Sequence, residues 1–428
     1  MLFGLVLLKP LGLATGKLRR ASYASSPKAP SSVLWPTVLG IGFALGLIHI
    51  LRVAQVDANG ISIVASKPVT WDFTNLWYGG RLALQGQVHT LFDVEAYRAG
   101  LRSLFAPYIE NSEWSYPPTL LLVGAPLALL PLYLSYAVWT VGTLGLLALA
   151  LRQAGLRWPA FALVCISPAA LNNIAHGQNG ALTAALLIGG LLAAQRRPVL
   201  AGLLFGFLTM KPQFGLLVPI CLVAGEHWRA IFWSVCFAAL LVVLTVLCFG
   251  TSIWTGFFAT TQPLMRSILE APFGQGYQAN AITVFASVRE FGGSLWTAYG
   301  MQAIAALVSA VLVWRLWKNS NCPAGLRSAA TAVLTLLVTP YGYSYDLVLL
   351  ACSVLIVRGS TGSRYDPLLG ALWLWPSLVN LVNANGAPLS PLVLAVAAWI
   401  SLRVSRPQAA AEAGPVEESA QDIRVSAP

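Results

Sequence analysis

One aspartate, Asp72, stands between two aromatic residues in a polar stretch of an otherwise apolar chain. The stretch, residues 71–93, reads WDFTNLWYGGRLALQGQVHTLFD and lies between strongly apolar segments. A carboxylate beside apolar rings holds a proton more readily, and a general base needs this property to take a proton from a hydroxyl group. We therefore take Asp72 as the candidate catalytic base, with an ordinary solvated aspartate as the alternative. The same loop offers other carboxylates, which composition does not rank: Asp57, Asp93, Glu95, Glu110 and Glu113.

Lys211 is the second candidate because it interrupts the apolar segment 199–224. Pro212 follows it, and a proline breaks a helix by removing a backbone donor. A lysine near the middle of a membrane costs a few kcal/mol unless it reaches a cavity or a partner, so it indicates a functional site. We predict a contact to a phosphate group. The alternatives are a side chain that extends to the interface or pairs with a carboxylate such as Asp346.

Two further groups of polar residues could bind a substrate. His176 and Gln178 lie with Asn179 between two apolar segments, where they could bind sugar hydroxyls or a phosphate, or simply satisfy a turn between helices. Both interpretations stay open. Arg266 lies in a polar run that could be only solvated, but a guanidinium suits bidentate phosphate recognition.

Composition sets the class of protein that must position these residues. The 428 residues are 57% hydrophobic and 10% charged, and the mean hydropathy is +0.71. Soluble domains carry about 25% charged residues. The continuous apolar runs predict an all-α, polytopic membrane bundle of about 10–12 transmembrane helices, because each crossing needs about 20 residues.

The apolar runs divide the chain into three parts. We predict a cytoplasmic segment at 1–33, an integral membrane domain at 34–404, and a disordered cytoplasmic tail at 405–428. Two long outer loops interrupt the membrane domain at 52–117 and 251–296, and the first has the near-helical apolar spacing of interfacial helices. The predicted spans are 34–51, 118–132, 134–151, 159–175, 180–195, 199–224, 229–250, 297–317, 327–341, 343–358, 367–384 and 388–404.

Simple alternation over these spans conflicts with the positive-inside rule at one place. It puts both ends of the chain inside, as Arg315, Lys318 and Arg327 require, but it leaves Arg196 and Arg197 outside. One or more spans between 118 and 224 could therefore be half-length or re-entrant.

Several function classes are disfavoured. The net charge of +11 comes from basic residues in short connections between apolar runs, so we expect membrane lipids as partners and no nucleic acid. The six cysteines and four histidines show no metal-ligand spacing, and we expect neither a metal nor another cofactor. No phosphate-binding loop of the GKS or GKT type appears, and this favours a donor already attached to lipid.

The first loop resembles that of glycosyltransferase family 87 in the GT-C superfamily. The resemblance rests on Asp72, Tyr78, the pair Gly79 and Gly80, and the LFD sequence ending at Asp93. It continues in order through the segments YPP at 116–118, SPAALNNIAHGQNG at 167–180, LTMKPQFGLLVP at 208–219 and TPYGYSYDLVLL at 339–350.

This resemblance implies a metal-independent, inverting transfer with Asp72 as the base. It also implies a second polar cluster near residue 343, where many relatives carry histidines and this chain has tyrosines, so Tyr345 and Asp346 are its candidates. We expect transfer of a hexose, with mannose as the expected sugar, from a polyprenyl-phosphate donor to a lipid-linked or glycan acceptor in the cell envelope. The enzyme would be a multi-pass protein of the inner, cytoplasmic membrane.

The alternative from another class is a transporter or flippase of lipid-linked sugars, which would also need polar residues inside an apolar bundle. Transporters commonly carry internal repeats, and no clear repeat is visible here. A scaffolding protein would have no chemical use for Lys211.

Overall fold

The protein is built from helices throughout the part described by the computed structural model, residues 33–272, 276–319 and 321–405. In these residues there is no β-strand, and the all-α class is confirmed. The helices are α1 Leu34–Val53, α2 Phe73–Leu84, α3 Val94–Leu104, α4 Leu121–Leu127, α5 Leu132–Gln153, α6 Trp158–Cys165, α7 Pro168–Ala175, α8 Gly180–Ala193, α9 Pro198–Leu208, α10 Val218–Ala224, α11 Trp228–Phe249, α12 Ser252–Gly256, α13 Gln262–Glu270, α14 Val284–Glu290, α15 Leu295–Lys318, α16 Ala324–Val338, α17 Val348–Thr361, α18 Asp366–Ala384 and α19 Ser390–Val404.

The predicted terminal segments 1–33 and 405–428 lie outside the described residues, apart from residues 33 and 405. Short 3₁₀ turns connect several helices, at Val88–Phe92, Pro118–Leu120, Pro212–Gly215, Gly276–Asn280 and Ser344–Leu347.

Six described helices are long and apolar enough to cross a membrane: α1, α5, α11, α15, α18 and the segment Ser344–Thr361 that contains α17. The pair α6 and α7 makes a seventh if its 52° bend lies within one span. The remaining predicted spans form shorter apolar helices. In the most apolar 18-residue stretch of α11 only 11% of the residues are buried, whereas 78% of the residues in Ser344–Thr361 are buried. The chain is therefore a multi-pass membrane protein with α11 at its lipid-facing edge and α17 at its centre.

The two long loops meet at one end of the bundle, which we call the loop face. Gly256 lies so close to Phe92 that a Cβ on the glycine would be 2.3 Å from the phenylalanine ring. The Thr261 hydroxyl donates a hydrogen bond to the backbone carbonyl of Trp114 at 3.4 Å. The first loop contains helices α2 and α3, as its apolar spacing predicts.

The opposite end of the bundle, which we call the basic face, collects arginines and lysines. Lys318 at the end of α15 pairs with Glu226 just before α11 at 3.1 Å. Helix α9 runs parallel to α11, because Gly202 contacts Trp233 and Gly206 contacts Phe237. The start of α9, and with it Arg196 and Arg197, therefore lies at the basic face.

Two of the predicted spans do not cross the bundle in the structure. The segment 118–132 contains only the short helix α4, and the indole of Trp77 donates to the Leu130 carbonyl at 2.9 Å, so the segment leaves at the loop face where it entered. The segment 199–224 is a hairpin of α9 and α10 that begins and ends at the basic face, because Lys211 and Pro212 interrupt it. These two features remove the conflict over Arg196 and Arg197.

We expect cysteine labelling to report this topology. In a cysteine-free background in sealed vesicles, Arg197→Cys and Lys318→Cys should react with a membrane-impermeant maleimide from one side, and Asn59→Cys from the other. Labelling of Arg197→Cys from the same side as Asn59→Cys would contradict the assigned hairpin.

Candidate active site at the loop face

Asp72 immediately precedes helix α2, but its side chain does not cap the helix. Its carboxylate accepts no hydrogen bond from the first turn of α2. Its backbone N–H instead donates to the carbonyl of His176 at 3.1 Å. Trp71 before it has φ +46°, a left-handed conformation that costs a bulky residue about 1–3 kcal/mol and persists only where the surroundings fix it. The bundle thus holds Asp72 in a set position.

Residues 176–178, which we call the 176–178 turn, supply that constraint. Gly177 has φ +59°, and a Cβ there would lie 2.2 Å from the Thr70 carbonyl oxygen and 2.8 Å from the backbone nitrogen of Phe73. A glycine is therefore required for the turn to approach the backbone around Asp72. The amide of Gln178 donates to Asp72 Oδ2 at 2.7 Å. The turn contacts both the backbone and the carboxylate of Asp72.

Lys67 is a site residue that sequence reasoning missed. Its ammonium lies 3.3 Å from Asp72 Oδ1 and 3.5 Å from Glu110 Oε2. Burial by itself lowers the pKa of Lys67, but the two carboxylates outweigh it and the pKa is raised, so the ammonium stays charged. Asp72 therefore has a charged neighbour in addition to the aromatic residues beside it in the sequence. The only signal in the sequence was a cation five residues before the aspartate.

The competing carboxylates of the first loop are mostly occupied within that loop. Asp57 accepts hydrogen bonds from backbone N–H groups of its own turn, and Asp93 caps helix α3. Arg98 pairs with both Glu95 and Glu113. Asp72 differs from these four because Gln178, one of its partners, comes from the helical bundle.

Lys211 and Asp346 form an ion pair inside the bundle. Their charged atoms are 2.5 Å apart, and their side chains are 8% and 0% exposed. Asn179 Oδ1 accepts a second hydrogen bond from the ammonium at 3.0 Å. Of the alternatives for Lys211, the structure shows the one in which it pairs with Asp346. To contact a phosphate, the Lys211 ammonium would have to leave the Asp346 carboxylate.

A row of aromatic rings leads from Asp72 toward the second loop. Trp71 and His176 have ring centres 4.5 Å apart, and Tyr345 lies 6.0 Å from the histidine. Tyr343 follows at 5.5 Å, and Tyr277 of the second loop lies 5.0 Å beyond it. Tyr277 is 45% exposed and, with Tyr343, lines a pocket whose other walls are mostly apolar: Ile268, Leu269, Gln278, Ala281, Phe285, Ala286 and Pro340.

Tyr116 lies close enough to Asp72 and Asp346 to feel the negative charge of both. Burial raises the pKa of its hydroxyl, and the negative charges of Asp72 and Asp346 raise it further. The phenol therefore stays protonated at neutral pH and lies beside Gln178, where it can donate a hydrogen bond to an anionic ligand. This residue opened the second motif of the sequence, but its type alone did not assign it a role.

The structure brings six of the seven predicted site residues together. Asp72, His176, Gln178, Lys211, Tyr345 and Asp346 form one cluster at the loop face through the contacts above. His176 contributes chiefly by position, since its Nδ1 bonds the Asn172 carbonyl at 2.8 Å. Arg266 stands apart on α13 with a side chain that is 70% exposed, and it pairs with Glu270 at 2.8 Å.

Comparison with protein families gives a match to a known family. The sequence profile described as glycosyltransferase family 87 matches residues 114–340, more than half of the chain. The matched region includes Tyr116, the 176–178 turn, Lys211 and Tyr277. Comparison with curated proteins and with solved structures gave no match.

The Lys211 and Asp346 pair yields a stability prediction. Lys211→Met leaves a buried carboxylate without its cation, and we expect a loss of about 3–5 kcal/mol in the free energy of unfolding. The double variant Lys211→Met/Asp346→Asn should recover more than half of that loss. Equilibrium unfolding in detergent measures both, and a nearly neutral Lys211→Met would contradict the assigned pairing.

Proposed function

The chain belongs to glycosyltransferase family 87, and from that membership we propose a specific reaction. In this proposal the enzyme is of the GT-C type and moves a hexose, with mannose as the expected sugar, from a polyprenyl phosphate to a lipid-linked or cell-envelope acceptor. The loop face lies on the outer side of the cytoplasmic membrane. The observation that carries the proposal is the position of Asp72, a partly exposed carboxylate where a polar loop meets the buried polar cluster of an apolar bundle.

A donor carried by lipid fits the surroundings of Asp72. The mostly apolar pocket beside Tyr277 and Tyr343 opens next to the row of rings that leads to Asp72. A polyprenyl chain gains from burial against apolar walls, while its phosphate needs hydrogen-bond donors at the end of the chain. The tyrosine hydroxyls supply such donors.

Asp72 is the base in this scheme. Its carboxylate takes the proton of the acceptor hydroxyl while that oxygen forms a bond to the anomeric carbon. The bond from the anomeric carbon to the phosphate oxygen breaks on the opposite face of the sugar, so the configuration inverts. The electron pair of the broken bond leaves with the phosphate, and Gln178 and the 176–178 turn keep the carboxylate in place.

The leaving phosphate needs positive charge, and Lys67 is the best placed cation. Its ammonium already lies between the carboxylates of Asp72 and Glu110, and its side chain is 16% exposed. Fixed donors that meet a developing negative charge in a dry site can each contribute about 2.7–4 kcal/mol to catalysis. Tyr116 adds a hydroxyl donor beside Gln178. In this assignment Lys211 supports the cluster through Asp346 and does not contact the phosphate.

A flippase for lipid-linked sugars remains the alternative outcome of a direct assay. Reconstituted protein with polyprenyl-phosphate mannose and a glycolipid acceptor should release polyprenyl phosphate together with a glycosylated product. Movement of the intact donor across the bilayer without release of polyprenyl phosphate would support the flippase.

We expect Asp72→Asn to bind the donor but to lose about 100- to 10,000-fold in kcat, because an amide can accept the hydrogen bond of Gln178 but cannot take a proton. Asp57→Asn, in the same loop, is the matched control and should keep near-normal turnover. Radiolabelled sugar transfer in proteoliposomes measures both, and near-normal transfer by Asp72→Asn would refute the base assignment.

Lys67→Met tests the phosphate contact. We expect kcat to fall about 100- to 1,000-fold, because the leaving group loses a fixed positive charge. Arg102→Met removes a partly exposed cation of the same loop, whose guanidinium bonds Asn111 at 2.5 Å, and should have little effect. Equal losses in the two variants would show that only the general charge of the loop matters.

A further inference from the structure

Among the described residues, Arg327 is a buried cation without an anionic partner, and it lies at the basic face, far from the candidate active site. The residue is 9% exposed, and its Nε is enclosed with no hydrogen-bond acceptor among the described residues. Its guanidinium lies over the ring of Trp317, 4.3 Å from the ring centre. The neighbouring carboxylate of Glu226 is engaged by Lys318.

Within the described structure, the polar groups found around Arg327 are uncharged. His227 packs edge-on against Trp317 at 5.9 Å, and its Nε2 is also enclosed without a partner. Burial lowers the pKa of His227 and the positive charge of Arg327 lowers it further, so its ring is neutral at pH 7 and offers one N–H donor. The Ser328 hydroxyl is likewise unpaired within the described structure.

The helix that carries Arg327 adds a further attraction for negative charge. Arg327 is the fourth residue of α16, and the helix begins after Pro323 with no side chain capping its first N–H groups. Uncapped N–H groups at a helix start carry a partial positive charge and bind anions. A guanidinium buried beside them is costly unless an anion accompanies it.

Trp317 holds the guanidinium in a fixed place. Its indole donates to the Thr331 hydroxyl at 2.9 Å, and that hydroxyl donates to the backbone carbonyl of Arg327 at 2.8 Å. The ring, the hydroxyl and the first turn of α16 therefore form one rigid unit. Such prior ordering reduces the entropy lost when a ligand binds.

We propose that Arg327, His227 and the start of α16 form a binding site for the phosphate group of an anionic ligand at the basic face. A guanidinium binds phosphate in a bidentate manner, and a site at the membrane surface meets phosphate in lipid headgroups and in the adjacent solution. The site is separate from the sugar transfer at the loop face and does not depend on it.

The test compares the full-length protein in detergent with phosphatidylglycerol, with phosphatidylcholine and with inorganic phosphate. We expect phosphatidylglycerol or inorganic phosphate to raise the Tm of the wild type, and phosphatidylcholine, whose headgroup carries its own cation, to raise it less. Arg327→Gln should weaken the binding of the stabilising ligand about tenfold or more. Stabilisation by phosphatidylglycerol alone identifies a headgroup site, and stabilisation by inorganic phosphate identifies a site for the free anion.

Arg403→Gln is the matched control. Arg403 also lies at the basic face and over a tryptophan, 5.4 Å from the ring of Trp399, but it is exposed. Binding should change less than about twofold in this variant, since exposed charges contribute little. Equal weakening by the two substitutions would overturn the proposal. If Arg327→Gln does not fold, the Tm of the wild-type protein still tests the proposal. A wild-type Tm that neither phosphatidylglycerol nor inorganic phosphate changes would also overturn the proposal.

Discussion

Four consecutive residues, 177–180, connect the first loop to the buried core, and the rest of the site depends on them. Gly177 contacts the backbone on both sides of Asp72, and Gln178 holds its carboxylate. Asn179 accepts a hydrogen bond from Lys211. Gly180 lies so close to the segment after α16 that a Cβ on it would be 2.2 Å from the Tyr345 carbonyl oxygen. Close packing of this kind fixes a catalytic carboxylate more firmly than a free loop could.

The buried ion pair explains the most irregular part of the bundle. A helix through residues 199–224 would place Lys211 in an apolar environment, where its charge has no partner. The chain breaks there instead, and the ammonium reaches Asp346 and Asn179. The break shortens α9 and α10 and returns the chain to the basic face, so the same contact that satisfies the lysine also sets the topology that follows it.

Hydrophobicity and isolated polar residues predicted much of this architecture. Long apolar runs gave the helical class, and polar interruptions identified Asp72, Lys211 and the 176–178 turn. Hydropathy could not distinguish a short apolar helix such as α4 from a helix that crosses the whole membrane. The only sign of this difference in the sequence was that simple alternation of the spans placed Arg196 and Arg197 on the outer side, against the positive-inside rule. Lys67 lies in irregular backbone, where no periodicity points to a partner. Arg266 was chosen by charge alone, and charge does not reveal that a partner four residues away engages it.

In the proposed reaction, Asp72 faces the reacting atoms of a donor carried by lipid. A cryo-EM structure of the protein in nanodiscs with a non-hydrolysable polyprenyl-phosphate sugar and an acceptor tests this most directly. We expect the acceptor hydroxyl to lie within about 2.6–3.2 Å of the Asp72 carboxylate, with the donor phosphate beside Lys67 and Tyr116. A donor sugar bound away from Asp72, or a donor phosphate remote from Lys67 and Tyr116, would contradict this arrangement.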